Sequence, residues 1–191
     1  MNSWGRPAGF LVALLVLAAC SDNGGEPGWS KPDGRVPPAP ANRPPALDVD
    51  DVKPCDLLTE DQRRQLGLTG EQTTKLNTTW VANTCGIWDA GHVHSASVTA
   101  VSTSGIADFY RGRFANMQYR PTEVTGFPAL FYRFDGVGYA CYTAVGVADD
   151  QLVDVAFGAQ GPNSTTRSQD ELCDTAHKVV EAAMATLLAT R

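Results

Sequence analysis

The stretch VGYACYTAVGVADDQLVDVAF, residues 137–157, decides the fold. Val137 to Val147 and Leu152 to Phe157 are rich in β-branched and aromatic residues, and Asp149-Asp150 punctuates them, so the stretch reads as two strands paired across a turn. Side chains alternate along a strand, which puts Val137, Tyr139, Cys141, Thr143 and Val145 on one face, the one with more bulk. That face needs a cover. Ser168 and Glu171 form an S-x-x-E capping box, and Leu172, Ala176, Val179, Val180, Ala183 and Leu187 then recur as an apolar helical stripe. The fold class expected is α+β, an antiparallel sheet with helices packed on it.

The cysteines fit the same arrangement. Beyond Cys20 the chain carries four: Cys55, Cys85, Cys141 and Cys173. An even number in an exported domain points to two disulfides, and four cysteines allow three connectivities. Cys173 borders the apolar stripe one helical step from Ala176, so a helix lying on the bulky face brings it to Cys141. Cys55 precedes the first helix, and Cys85 opens a strand expected beside it. The pairing favoured is therefore Cys55–Cys85 and Cys141–Cys173. Each closes a loop of about 30 residues, worth roughly 3–4 kcal/mol in the chain-entropy view. No C-x-x-C is present, which disfavours a thioredoxin-like centre or a zinc ribbon.

Upstream, Thr59 with Gln62 resembles a capping box for a short helix that stops at Gly67. Thr-rich residues 69–79 read as a loop or an edge strand, Cys85 to Trp88 as a short strand, and His94 to Thr103 as a half-buried strand. Ser104 is expected to cap a helix from Ile106 to Met117, burying Ile106, Phe109, Tyr110, Phe114 and Met117. Gly126-Phe127-Pro128 punctuates before a strand from Ala129 to Phe134, and Asp135-Gly136 marks a hairpin turn.

The N-terminus supplies the cellular address. Met1 to Pro7 holds one charge, Arg6, and Ala8 to Ala19 is an apolar run. As a helix that run is about 18 Å long, short of the roughly 30 Å hydrocarbon core, so it reads as the core of a signal peptide over residues 1–19. Leu17-Ala18-Ala19-Cys20 looks like a bacterial lipobox, with Cys20 the residue that accepts diacylglycerol (a palmitate-type lipid anchor). The expectation is a lipoprotein on the extracytoplasmic face of the cell membrane. Residues 20–50 are rich in Pro, Gly and Ala and read as a disordered tether reaching up to about 90 Å. Residues 51–191 form the folded domain.

The composition narrows the partners. The net charge of the chain is -6; after removal of the signal peptide, fourteen basic residues face twenty-one acidic ones. That balance argues against nucleic acid, which wants a basic surface, and against electrostatic docking on anionic lipid heads, so membrane attachment must come from elsewhere.

Lys53-Pro54-Cys55, Leu57-Leu58-Thr59, Leu66-Gly67 and Cys85 shortly before Trp88 resemble the DUF3558 family of actinobacterial lipoproteins. The resemblance extends over most of residues 51–190, including Gly126-Phe127-Pro128-Ala129 and the two late cysteines; Lys53 stands where the family commonly has an acid. It implies an α+β domain of the PsbP/Mog1 kind, and it implies no activity, because the family's function is not established.

Catalytic patterns are sparse. There is no G-x-S-x-G, H-E-x-x-H, P-loop or G-x-G-x-x-G, and Gly136-x-Gly138 is turn chemistry. His92 and His94, at i and i+2, could share a metal on one strand face, but no third ligand is identifiable. His177 sits beside the apolar stripe and is expected to pack. Asp149-Asp150 are adjacent at a hairpin tip and point apart, which disfavours acid–base work. Trp80 and Trp88 read as core aromatics, and Arg111 and Arg113 as a solvated face. No catalytic, cofactor or metal residue is assigned. The function expected is a non-catalytic binding or accessory module for an envelope partner, protein or small ligand. The alternatives are a small-molecule or lipid carrier with a cavity between sheet and helices, and an envelope hydrolase.

Overall fold

A computed structural model describes Met1, residues 28–159 and residues 167–191. The signal peptide and the lipidation expected at Cys20 lie outside the described residues. Seven antiparallel strands form one sheet: β1 (Gln72–Asn77), β2 (Ala82–Trp88), β3 (His94–Val101), β4 (Met117–Val124), β5 (Phe127–Phe134), β6 (Ala140–Gly146) and β7 (Leu152–Ala159). Their spatial order is β1-β2-β3-β7-β6-β5-β4. Two meanders thus run inward from opposite edges and meet where β3 pairs with β7. The crossover between them, residues 102–116, travels over one face of the sheet from its centre to its far edge.

The quoted stretch forms β6 and β7, paired from Ala140↔Gly158 to Gly146↔Leu152. Asp149 and Asp150 lie in the turn between them, which closes through Val147 N–H and Ala148 N–H on the carbonyl of Gln151. The face that alternation selected carries Cys141, Val145, Val153, Val155 and Phe157, and it packs under α3 (Gln169–Ala189). Both halves of the Ser168–Glu171 capping box are made: Glu171 N–H donates to Ser168 Oγ at 3.3 Å, and Ser168 N–H donates to Glu171 Oε2 at 2.7 Å. Every residue of the expected stripe is buried, with Cys173 and Met184 added. The Thr59–Gln62 box caps α1 (Glu60–Gln65). Gln62 then reaches across, donating to Ala182 O and accepting from Thr186 Oγ1, and so ties α1 to α3.

Both favoured disulfides are present. Cys55–Cys85 and Cys141–Cys173 each span a Cα–Cα distance of 4.9 Å. The first pins the 3-10 turn Pro54–Leu57 to β2, and the second pins α3 to β6.

Three expectations are corrected. The helix over Ile106–Met117 shrinks to α2 (Ala107–Tyr110), with Ser104 Oγ donating to Asp108 Oδ2 instead of capping a long helix. Gly112 turns the chain at φ +86°, and Met117 then has to extend because it pairs with Phe134. Second, Phe127 and Pro128 are strand residues. The punctuation is Thr125-Gly126, both at positive φ, a two-residue hairpin turn whose backbone twist suits the strands it joins. The turn expected at Asp135-Gly136 is made, closed by Val137 N–H on Phe134 O at 3.1 Å, and the chain runs on to Tyr139 before β6 begins.

Third, residues 28–50 are no free tether. Ser30 exchanges two main-chain hydrogen bonds with Tyr119, each 2.8 Å, at the outer edge of β4. Gly34 N–H donates to Tyr110 O, Leu47 N–H to Val147 O, and Val49 N–H to Gln151 Oε1. Trp29 and Leu47 pack on the core and Val49 is inside it. The segment is poor in apolar residues, so composition alone cannot reveal a strap held at a few points by main-chain bonds.

Candidate functional site

The sheet's second face holds a group that the sequence reading passed over. Asp154, on β7, is 4 % exposed and lies in the middle of an aromatic cluster. Trp80 Nε1–H donates to its Oδ2 at 3.0 Å, and the Tyr132 hydroxyl donates to its Oδ1 at 2.7 Å. Burial pushes the carboxyl up to about 6, although the two hydrogen bonds pull the other way. The same burial, with Asp154 close by, raises the Tyr132 and Tyr142 hydroxyls. Phe109 packs edge-on against Tyr132 at 4.9 Å, and Trp80 covers Phe109 at 5.7 Å. Trp80 is therefore the core aromatic expected, with an added polar role. A carboxylate inside the apolar alternation Leu152-Val153-Asp154-Val155 was the available signal, since a lone acid facing inward must find donors.

Arg113 is exposed, as expected of a solvated face, and it also covers the cluster. Its guanidinium lies 4.5 Å from the Trp80 ring centroid and donates to Ser104 Oγ and to Thr79 O, closing the crossover over the cluster. Arg111 pairs with Asp108 at 3.5 Å and is exposed. The cluster is a sealed polar knot: its carboxylate is spent on holding Trp80 and Tyr132.

The closest approach to acid–base geometry is elsewhere. His94 Nδ1 lies 3.2 Å from Asp89 Oδ2, and the Asp89 carboxylate also accepts from the N–H groups of Val93 and His94. These hydrogen bonds outweigh the desolvation of Asp89 and hold its carboxyl below the usual range. The His94 ring stacks on Phe157 at 5.8 Å, and its Nε2 is buried without a partner.

His92 and His94 do not converge. His92 is held at φ +52° and packs on Trp88 at 5.7 Å, while His94 turns to Asp89 and Phe157. Among the described residues no three His, Cys, Asp or Glu side chains gather into a metal site. His177 packs on Phe131 at 5.2 Å, with Nε2 3.5 Å from Glu181. Asp149 is an exposed turn residue that accepts from Arg43 Nη1 at 3.1 Å, and no hydrogen bond joins it to Asp150.

The interior is filled on both sides of the sheet. Val98, Val155, Leu172, Val179 and Met184 under α3, and Phe109, Leu130 and Leu152 under the crossover, are all 0 % exposed. The clefts among the described residues lie at the surface; one of about 360 Å³ separates Val36–Ala39 of the strap from α2. No described helix is long and apolar enough to cross a membrane.

No curated protein and no solved structure matches the chain. A family model does, over residues 15–186, nearly the whole length, and its description is protein of unknown function. The chain belongs to the DUF3558 family.

Proposed function

We propose that this protein is an exported lipoprotein, cut before Cys20, anchored by lipid on that cysteine at the extracytoplasmic membrane face, and acting as a non-catalytic binding module for an envelope partner. The observation that carries the binding reading is the closed interior. Among the described residues both core layers are at or near zero exposure, which supports recognition at the surface over carriage of a lipid or small molecule between sheet and helices. The anchor reading is supported by the lipobox-like Leu17-Ala18-Ala19-Cys20, and by the even number of remaining cysteines, all paired. Assignment of the sheet to the PsbP/Mog1 kind rests on the family resemblance alone.

In-cell crosslinking of the anchored protein followed by mass spectrometry tests the binding reading. Recovery of the same envelope partner across growth conditions is expected; recovery of nothing but this chain would overturn it. For the anchor, Cys20→Ala is expected to release a folded, disulfide-bonded domain into the medium. Retention on the membrane after signal cleavage would refute it. One observation favours the hydrolase alternative, the Asp89–His94 pair with its unpartnered Nε2. An ester or phosphoester hydrolysis by the purified protein that His94→Gln abolishes would replace the binding reading.

A further inference from the structure

The two disulfides sit in unlike surroundings. Cys141 and Cys173 are both 0 % exposed, shut between β6 and α3. In the other pair Cys85 is 0 % exposed as well, but Cys55 stands in the turn Pro54–Leu57, beside the edge strand β1, and keeps partial exposure. Of the four paired cysteines it alone meets solvent. Lys53 and Asp56 flank it, both exposed and of opposite charge, so the turn itself neither attracts nor repels an anion through net charge.

Each sulfur of that pair also receives a side-chain donor from β1. Gln72 Nε2–H donates to Cys85 Sγ at 3.2 Å. The Thr74 hydroxyl lies 3.4 Å from Cys55 Sγ and is the donor there, because a disulfide sulfur carries no proton. Strand alternation puts Gln72 and Thr74 on one face, which is how both reach the same bond. A second hydrogen bond, from Gln72 Nε2 to Cys55 O at 3.0 Å, fixes the amide. The buried pair has only a distant counterpart, Gln169 Nε2 at 3.8 Å from Cys173 Sγ. A disulfide sulfur is a weak acceptor and a thiolate a strong one, so donors fixed on both sulfurs favour the opened state. Leu57 and Leu58, each 3 % exposed, seat the turn in the core independently of the bond.

We propose that Cys55–Cys85 is a site of thiol–disulfide exchange, with Cys55 the sulfur attacked and Cys85 the leaving group, while Cys141–Cys173 is closed to the same reaction in the folded protein. A thiolate co-reactant bonds to Cys55 Sγ as the Cys55–Cys85 bond breaks, and the electron pair leaves on Cys85 as a thiolate that Gln72 stabilises. Return attack by Cys85 on Cys55 expels the co-reactant and restores the pair. Alternatively a second thiolate attacks the co-reactant's sulfur, frees Cys55 as a thiolate and forms the co-reactant's own disulfide. Two electrons have then entered the protein, and two protons complete its thiols. Opening releases the turn Pro54–Leu57 from β2 and undoes a cross-link of 30 residues' separation, which couples the thiol state of the surroundings to the junction of strap and α1. The inference rests on neither the anchor nor the binding reading.

The test uses residues 20–191, which hold every strand and helix of the fold, with Cys20→Ala so that no free thiol remains. The protein is exposed to reduced glutathione, or in a parallel series to reduced thioredoxin, quenched with N-ethylmaleimide at intervals and mapped by mass spectrometry of its peptides. Cys55–Cys85 is expected to open about tenfold faster than Cys141–Cys173, or more, through a species with glutathione on Cys55 and maleimide on Cys85. Gln72→Leu should slow that opening about fivefold, the weight of one hydrogen bond to a charged sulfur, and leave Cys141–Cys173 unchanged. Opening by glutathione assigns small thiols as co-reactants, and opening by thioredoxin alone assigns a protein dithiol. Both pairs opening together, glutathione found on Cys85, or no opening of Cys55–Cys85 by either reductant would overturn the proposal. So would faster opening in Gln72→Leu, because a pair exposed only by unfolding opens sooner when the fold is weakened.

Discussion

Replacing Asp154 by Asn isolates the energetic consequence of one buried charge. The carboxyl titrates near 6 in the folded protein against an ordinary 3.8, because desolvation outweighs the hydrogen bonds from Tyr132 and Trp80. A folded pKa above the unfolded one means that the native state binds the proton more tightly. The stability this contributes is fully present below about pH 4 and is lost as the pH rises through 6. A shift of about two units at ~1.4 kcal/mol each makes the loss about 3 kcal/mol, a large fraction of a domain's net stability. Asn has the same shape and no charge. Its oxygen can accept from Trp80 Nε1–H, and its amide can donate to the Tyr132 oxygen, which turns from donor to acceptor. Urea unfolding of both proteins, followed by tryptophan fluorescence from about pH 4 to pH 7.5, gives a stability difference in which every other titration cancels. That difference should move in favour of the Asn variant by about 2–3 kcal/mol across the range, with its midpoint near pH 5, halfway between the unfolded and folded values, and the change nearly complete above pH 6. A flat difference, or one that moves toward the wild type as pH rises, would refute the buried-charge account.

Two further outcomes follow from the packing. Thr143 is 0 % exposed and its hydroxyl has no partner, so Thr143→Val should stabilise the fold by about 1 kcal/mol, read as a rise of a few degrees in melting temperature; a fall would mean the hydroxyl is satisfied. Replacing Cys141 and Cys173 together by Ala should cost about 3–4 kcal/mol by urea titration, since their separation is 32 residues, and a cost below 1 kcal/mol would show that α3 is held by apolar packing alone.

Strand alternation and helical period are local properties, which is why β6, β7 and α3 were legible in residues 137–187, along with the disulfide partners they carry. The middle helix was misread for an equally definite reason. Phe109, Tyr110, Phe114 and Met117 satisfy a helical spacing, yet Met117 is claimed by Phe134 of β5, seventeen residues on, and long-range pairing overrides local period. Asp154 was missed because neither of its donors, Trp80 and Tyr132, is near it in sequence.

The sequence by itself determined the sheet-and-helix class and the family and favoured one of three cysteine pairings, because side-chain period and residue spacing carry that information within a few tens of residues. Only the tertiary structure decided that residues 28–50 are a strap and not a tether, that both core layers of the described residues are packed to near zero exposure, and that Arg113 stacks on Trp80. Each of those depends on groups brought together from distant parts of the chain, held by main-chain hydrogen bonds and ring contacts that leave no periodic trace in composition.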